Sequence, residues 1–357
     1  MMGDAHHHHG NLRVTNKYLP PGDDPGIDRK VEFLKRPAAY DEPVGQLRAV
    51  ETHMSWVFLT DEHAYKLKKP VRYPYLDFST LEARRRDCEE ELRLNLRMAP
   101  DVYLGSVRLT RPRAGELALG GAGPVVDWLV KMRRLPEEGM LDRLIRKHAV
   151  PPGKLHELAA LLARFYRAAP PVTWPPGELV HRLRRDTAEN ARELLRPRYG
   201  LAGDTVRTVH AAQTAFLARA AALLERRVAE GRVVEGHGDL RPEHVSLADG
   251  PAIIDCLEFD RELRLLDAFD ELAYLALECE RLGEPGVGGT ILETYAQLSG
   301  DHPDPRLIDF YKSHRACLRA KLAVWHIDDA AEGDRAKWLA AGETYLGLAE
   351  KYAGRLD

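Results

Sequence analysis

From residue 31 onward the apolar positions follow two different rhythms. Val31, Phe33 and Leu34 predict a short helix, and Leu47 with Ala49 and then the run Trp56-Val57-Phe58-Leu59 predict strands. After the polar turn Thr60-Asp61-Glu62-His63, Ala64-Tyr65-Lys66-Leu67-Lys68 alternates as a returning strand that puts its lysines on one face. Residues 79–98 open with Ser79 and Glu82 in capping-box spacing and contain no Gly or Pro, which predicts a helix. Strand-like pieces follow at 102–109 and 125–132, separated by the turn-rich stretch 112–124.

Beyond Leu135-Pro136 the pattern turns to long Ala-, Leu- and Arg-rich segments that predict helices over about 153–168, 178–195, 204–230, 266–281, 288–298 and 305–326. They are interrupted at Val233 to Asp255, where Val233-Val234, Val245 and Ala252-Ile253-Ile254 read as strands flanking polar loops. The expected organisation is a flexible tail over 1–30, a β-rich lobe with one main helix over 31–132, and a larger, mainly helical lobe over 133–357. The fold class is α+β. No internal repeat is visible.

Composition removes several function classes. The chain of 357 residues has 52 Lys and Arg against 55 Asp and Glu, so a near-neutral balance gives no support to a nucleic-acid partner. Arg84-Arg85-Arg86 reads as helix surface. No apolar run reaches the length of a membrane span, and the start Met-Met-Gly-Asp-Ala-His-His-His-His lacks a signal peptide's basic and apolar regions, which predicts a cytoplasmic protein with no membrane partner. Cys88, Cys256, Cys279 and Cys317 are far apart and form no Cys-x-x-Cys pair, so they read as buried reduced thiols. The run His6–His9 reads as part of the tail and receives no function.

The chemistry concentrates in the interruption. His237-Gly238-Asp239-Leu240-Arg241-Pro242-Glu243-His244 forms a polar loop, and Asp255 follows at the end of an apolar strand. Phosphoryl transfer needs one carboxylate to accept or orient the attacking hydroxyl and another to hold Mg²⁺ against the phosphates. Asp239 and Asp255 fit these two roles. His237 reads as a hydrogen-bonding brace of the loop rather than a proton-transfer group.

This loop resembles the protein-kinase catalytic loop H-R-D-L-K-P-E-N with its downstream D-F-G aspartate, and Gly238 makes it similar to the aminoglycoside phosphotransferase and choline kinase branch, whose loop begins H-G-D. The segments Thr52-His53-Met54-Ser55-Trp56-Val57-Phe58-Leu59, Tyr65-Lys66-Leu67-Lys68-Lys69-Pro70 and Asp255-Cys256-Leu257-Glu258-Phe259 resemble uncharacterised bacterial aminoglycoside-phosphotransferase-like proteins. The resemblance covers most of the chain from about Val31. It implies a two-lobed, protein kinase-like fold with nucleotide in the cleft, ATP and Mg²⁺ as cofactors, and a hydroxylated small molecule as acceptor: an amino sugar, an aminoglycoside or a related polyol. Oligomeric state is not legible.

The same resemblance implies site residues. Arg241 stands where kinases place a cation near the transferred phosphate. His244 occupies the position of a metal-binding asparagine; imidazole suits softer metals than Mg²⁺, so it is expected either to ligate, to hold the loop or a metal-bound water with Glu258 as a replacement carboxylate, or to mark weakened turnover. The phosphate-binding lysine is Lys66, with Lys68 on the same strand face, and its partner comes from Glu89, Glu90 and Glu91. Glu91 shares a stripe with Leu94 and Met98 and is preferred. No Gly-x-Gly-x-x-Gly precedes the lysine strand, so the phosphate-covering loop is placed at Glu51–Ser55 with Thr52 and Ser55. Val130 to Met132 read either as a hinge meeting the adenine edge or as core strand. Asp270 is expected to brace the catalytic loop, and Arg315 and Arg319 either face an anionic substrate or form a salt-bridged surface. Two other readings stay open: a metal-dependent hydrolase using His237, Asp239, His244 and Asp255, and a non-catalytic nucleotide-binding regulator.

Overall fold

The computed structural model describes residues 24–73, 76–113, 116–329 and 334–357. The expected tail, with His6–His9, lies outside the described residues up to residue 23; within its remainder a helix already begins at Ile27. The chain divides into two units: the first runs to Leu92 and resumes over Tyr103–Arg134, and the second takes Arg93–Val102 and Leu135–Asp357.

The first unit contains α1 (Ile27–Leu34), β1 (Arg48–Glu51), β2 (Ser55–Leu59), β3 (His63–Lys68), β4 (Arg72–Tyr73), β5 (Leu76–Asp77), most of α2 (Leu81–Asn95), β6 (Tyr103–Thr110), β7 (Ala118–Leu119) and β8 (Val125–Arg133). Six of these strands form one antiparallel sheet in the order β1-β2-β3-β8-β6-β7. Period-two alternation gives the sheet an apolar face. Tyr65 and Leu67 of β3 join Phe58, Leu109, Val126 and Leu129 in a core that Val31 and Leu34 of α1 cover. The opposite face of β3 carries Ala64, Lys66 and Lys68, and α2 packs there.

A buried carboxylate ties both helices to the sheet. Asp127 of β8 accepts from Lys30 of α1 and Arg84 of α2, each at 2.8 Å, and all three side chains are almost fully enclosed. Arg84 is therefore an interior residue and not the helix surface that its Arg-Arg-Arg context suggests. The cap of α2 also differs from expectation: Thr80 Oγ1 accepts the amide of Ala83 at 3.1 Å, whereas Ser79 bonds to Asp77.

The second unit contains α3 (Leu141–Arg146), α4 (Pro152–Ala168), α5 (Glu178–Leu194), α6 (Gly203–Arg219), α7 (Ala221–Ala229), β9 (Val233–Glu235), β10 (Val245–Ser246), β11 (Ala252–Ile253), β12 (Leu265–Asp267), α8 (Ala268–Arg281), α9 (Pro285–Ser299), α10 (Pro305–Asp329) and α11 (Arg335–Ala353). The helix expected over 204–230 breaks at the buried Ala220. Leu266, expected to be helical, lies in β12, which pairs antiparallel with β9, and α8 begins behind the N-cap Asp267. α11 lies beyond the last predicted helix. α10 packs along α11 and α8, whose apolar residues share one core, while α4, α8 and α9 enclose another. No described helix is long and apolar enough to cross a membrane. All four cysteines are buried and free.

Candidate active site

In the first unit both strand lysines converge on Glu91. Lys66 Nζ reaches Oε1 at 3.0 Å and Lys68 Nζ reaches Oε2 at 2.5 Å, with Asp87 a second partner of Lys68 at 2.8 Å. The stripe argument for Glu91 thus coincides with its position, while the exposed Glu89 pairs with Arg85 on the surface. Lys68 is wholly enclosed between two carboxylates, whereas 13% of the Lys66 side chain stays exposed. Lys66 is therefore the more accessible of the two lysines.

The β1–β2 hairpin contains Thr52 and Ser55. Thr52 donates its hydroxyl to the Ser55 carbonyl and accepts the Ser55 amide, both at 3.0 Å, so this side chain closes the turn. Lys69 holds the same tip through the Thr52 carbonyl at 2.6 Å. Met132 and Val130 sit inside β8 with β3 partners on one side and β6 partners on the other, the core-strand arrangement of these residues.

In the second unit β9 delivers the chain into His237-Gly238-Asp239. Gly238 has φ +88, and a Cβ there would lie 3.0 Å from the Leu257 Cβ and 3.1 Å from the Arg264 Cγ. A left-handed backbone in tight quarters accounts for glycine here. The amides of His237 and Gly238 both point at the buried carboxylate of Glu271 on α8, His237 at 2.9 Å, and Tyr166 donates its hydroxyl to the same group at 2.7 Å. Burial raises the Glu271 pKa against these donors. Glu271, not its neighbour Asp270, braces the loop. Asp270 is instead held by Arg315 through two bonds of 2.7 and 2.8 Å in the interior, which removes Arg315 from any substrate.

His237 stitches the two aspartate segments together. Its Nδ1 accepts the Asp239 amide at 3.2 Å, which fixes the proton on Nε2, and Nε2 donates to the Ile254 carbonyl at 2.9 Å. The Leu257 amide returns to the His237 carbonyl at 3.0 Å, and Asn95 receives the Cys256 amide at 2.9 Å. Burial, and then the neighbouring His244, lowers the His237 pKa from 6.5 to about 4. The unfolded chain therefore takes up this proton first as pH falls. Stability should drop by about 3 kcal/mol between pH 7 and pH 4 on this account. Urea unfolding across that range checks it: the loss should shrink in His237→Gln, and an unchanged profile would contradict the assignment.

Asp239 stands at the end of this frame with 30% of its side chain exposed. Tyr274 donates its hydroxyl to Oδ1 at 3.1 Å, and Arg241 Nε lies 3.1 Å from Oδ1 and 3.2 Å from Oδ2. Burial pushes its pKa up, but Arg241, His244 and Arg319 outweigh that and hold the carboxyl below its usual range. Asp255 carries φ +59, a left-handed conformation that only one other described non-glycine residue, His148, shares. A residue kept at this cost points to function. Its side chain is 46% exposed.

His244 lies between the two aspartates. Nδ1 donates to the Asp239 carbonyl at 2.9 Å, which leaves Nε2 an acceptor; it takes a bond from Arg241 at 3.2 Å and stands 3.5 Å from Asp255 Oδ2. Glu258 follows on the next loop, where Arg264 holds its carbonyl at 3.0 Å and that of Leu257 at 2.9 Å. Glu271, Tyr274, Asn95 and Arg264 were not selected from the sequence. The run Asp267, Asp270, Glu271, Tyr274 on a helix directly after the second aspartate was the available signal for the first two.

This architecture recurs in solved structures. An aminoglycoside 2'-phosphotransferase in its GDP complex matches with a TM-score of 0.52 at 14% identity, over 92% of this chain and 99% of that one. A choline kinase from Cryptosporidium parvum gives 0.53 at 10% identity over 91% and 95%. The chain has the protein kinase-like fold of aminoglycoside phosphotransferases and choline kinases. At such identities the likeness of this kinase-like chain to them is one of fold. Among curated proteins it is 38% identical over 288 residues to uncharacterised proteins of Mycobacterium bovis and Mycobacterium tuberculosis, covering 79% of this chain. The chain spans about half the length of the curated relatives it matches, 55%. No protein-family model matches it.

Proposed function

We propose that the chain transfers the γ-phosphate of a nucleoside triphosphate, ATP in the first instance, to a hydroxyl of a small molecule. The observation that carries this reading is the part-exposed, ionised Asp239, fixed by Tyr274 and Arg241, with Asp255 brought near it on the far side of His244. Asp239 orients the acceptor hydroxyl and takes its proton as the new O–P bond forms, and Arg241 offsets charge on the transferred group. Lys66 neutralises phosphate oxygens, and Glu91 with Lys68 holds Lys66 extended. The Thr52–Ser55 hairpin is the candidate phosphate-covering loop.

Asp255 offers hard, solvent-reachable carboxylate oxygens, which fit Mg²⁺, and Glu258 is a further oxygen donor nearby in sequence. A divalent cation bound there supplies charge neutralisation of the phosphates. His244, with both nitrogens hydrogen-bonded, braces the Asp239 backbone and Arg241. The alternative of a metal-dependent hydrolase loses a ligand, because both nitrogens of His237 are committed to backbone groups.

The proposed acceptors are amino sugars, aminoglycosides and related polyols. The test is ADP release with ATP and Mg²⁺ or Mn²⁺ across these compounds, choline and protein acceptors. Acceptor-dependent release supports the reading. Nucleotide binding without release across the panel points instead to a non-catalytic regulator. Tyr274→Phe should lower kcat by about tenfold with little change in KM, since the lost bond, about 1.4 kcal/mol, orients the base and not the substrate. A rise in KM alone would contradict that role.

A further inference from the structure

In the second unit α6, α7, the residue preceding β9, the turn at 300–304 and the first turn of α10 line an open hollow of about 600 Å³ that shares no lining residue with the catalytic loop. This size suits a small organic ligand. Five arginines line it: Arg219, Arg226, Arg227, Arg232 and Arg306.

Their partners divide them into two groups. Arg227 grips Asp267 at 2.6 Å and Asp301 at 2.5 Å in the interior, and Arg306 bonds Asp304 at 2.8 Å, so these two are closely paired structural residues. The other three are held more loosely. Arg226 has no ion pair or side-chain hydrogen bond among the described residues. Arg219 donates to the Leu356 carbonyl at 2.8 Å and comes within only 3.8 Å of the exposed Asp357. Arg232 stands 3.7 Å from Asp301, already taken by Arg227, and 3.9 Å from Glu230, and its buried Nε has no hydrogen-bond partner.

Three guanidinium groups thus share one hollow, and among the described residues none has a carboxylate closer than 3.7 Å. Guanidinium forks match the oxygens of phosphate. Phe216, Leu223 and Pro303 add an apolar wall that a bare ion leaves uncovered. We propose that this cavity is a second ligand site, which binds a phosphorylated small organic molecule through Arg219, Arg226 and Arg232. The site is independent of the phosphotransfer reading.

Calorimetric titration of the whole chain with glucose 6-phosphate and with orthophosphate tests it. The expected result is binding of glucose 6-phosphate more tightly than orthophosphate, retained in Lys66→Ala and weakened about tenfold or more in Arg226→Glu and in Arg219→Ala, the loss of about one charge-assisted contact each. Arg226 is exposed and unpartnered, so its replacement should leave the fold intact. Three results would overturn the proposal: no binding of either probe at millimolar concentration, binding lost in Lys66→Ala but unchanged in Arg226→Glu, or equal affinity for the two probes, which would reduce the cavity to an ion site.

Discussion

Asp239→Asn is expected to lower acceptor-dependent turnover by about 10²–10⁴-fold while leaving nucleotide binding and stability close to those of the parent chain. Asparagine has the same shape, and its carbonyl oxygen can still accept the Tyr274 hydroxyl that now reaches Oδ1 at 3.1 Å. What it cannot do is take a proton. Nor can it carry the negative charge that Arg241, His244 and Arg319 stabilise against burial. The measurement is ADP release with the acceptor found in the screen, alongside calorimetric nucleotide titration. Turnover at the parental rate would remove Asp239 from the mechanism. Loss of folding would instead show that the carboxylate is needed structurally, as the balancing charge for Arg241.

Glu271→Ala should be the most damaging single change near the site, costing about 3–5 kcal/mol because two loop amides and the Tyr166 hydroxyl lose their shared acceptor in the interior. That is a large part of the roughly 5–15 kcal/mol that holds a domain together. Glu271→Gln separates charge from shape: its oxygen in the Oε2 place keeps the His237 amide and the Tyr166 hydroxyl, but its NH₂ must face the Gly238 N–H, so about 1–3 kcal/mol is still lost. Urea unfolding of the three proteins at neutral pH gives the ranking. A Glu271→Ala variant within about 0.5 kcal/mol of the parent would mean that the loop holds its own shape.

The parts legible in the sequence were those whose partners are local or periodic. Period two put Lys66 and Lys68 on one face of β3, and helical period singled out Glu91 from three adjacent glutamates. Asp239 and Asp255 were legible because the contiguous run His237–His244 and the apolar strand ahead of Asp255 match a known motif in residue type and spacing. The bracing groups were illegible for the opposite reason: an acidic residue on a helix looks alike whether it faces water or receives amides from a distant loop. Glu271 and Asp270 are neighbours with different buried partners, and only the packing of α8 decides which one reaches Gly238. Arg84 likewise reads as surface until Asp127, far along the chain, is brought beside it. The split at Ala220 carries no Gly or Pro to announce it.

The Glu271 contacts also fix an order of events. The His237 and Gly238 amides answer to a carboxylate 34 and 33 positions later, so local sequence alone does not shape the loop. Such distant closure delays formation of a contact during folding. A chain emerging from the ribosome presents its His-Gly-Asp triplet before α8 exists to hold it. The loop takes its final shape only when α8 docks.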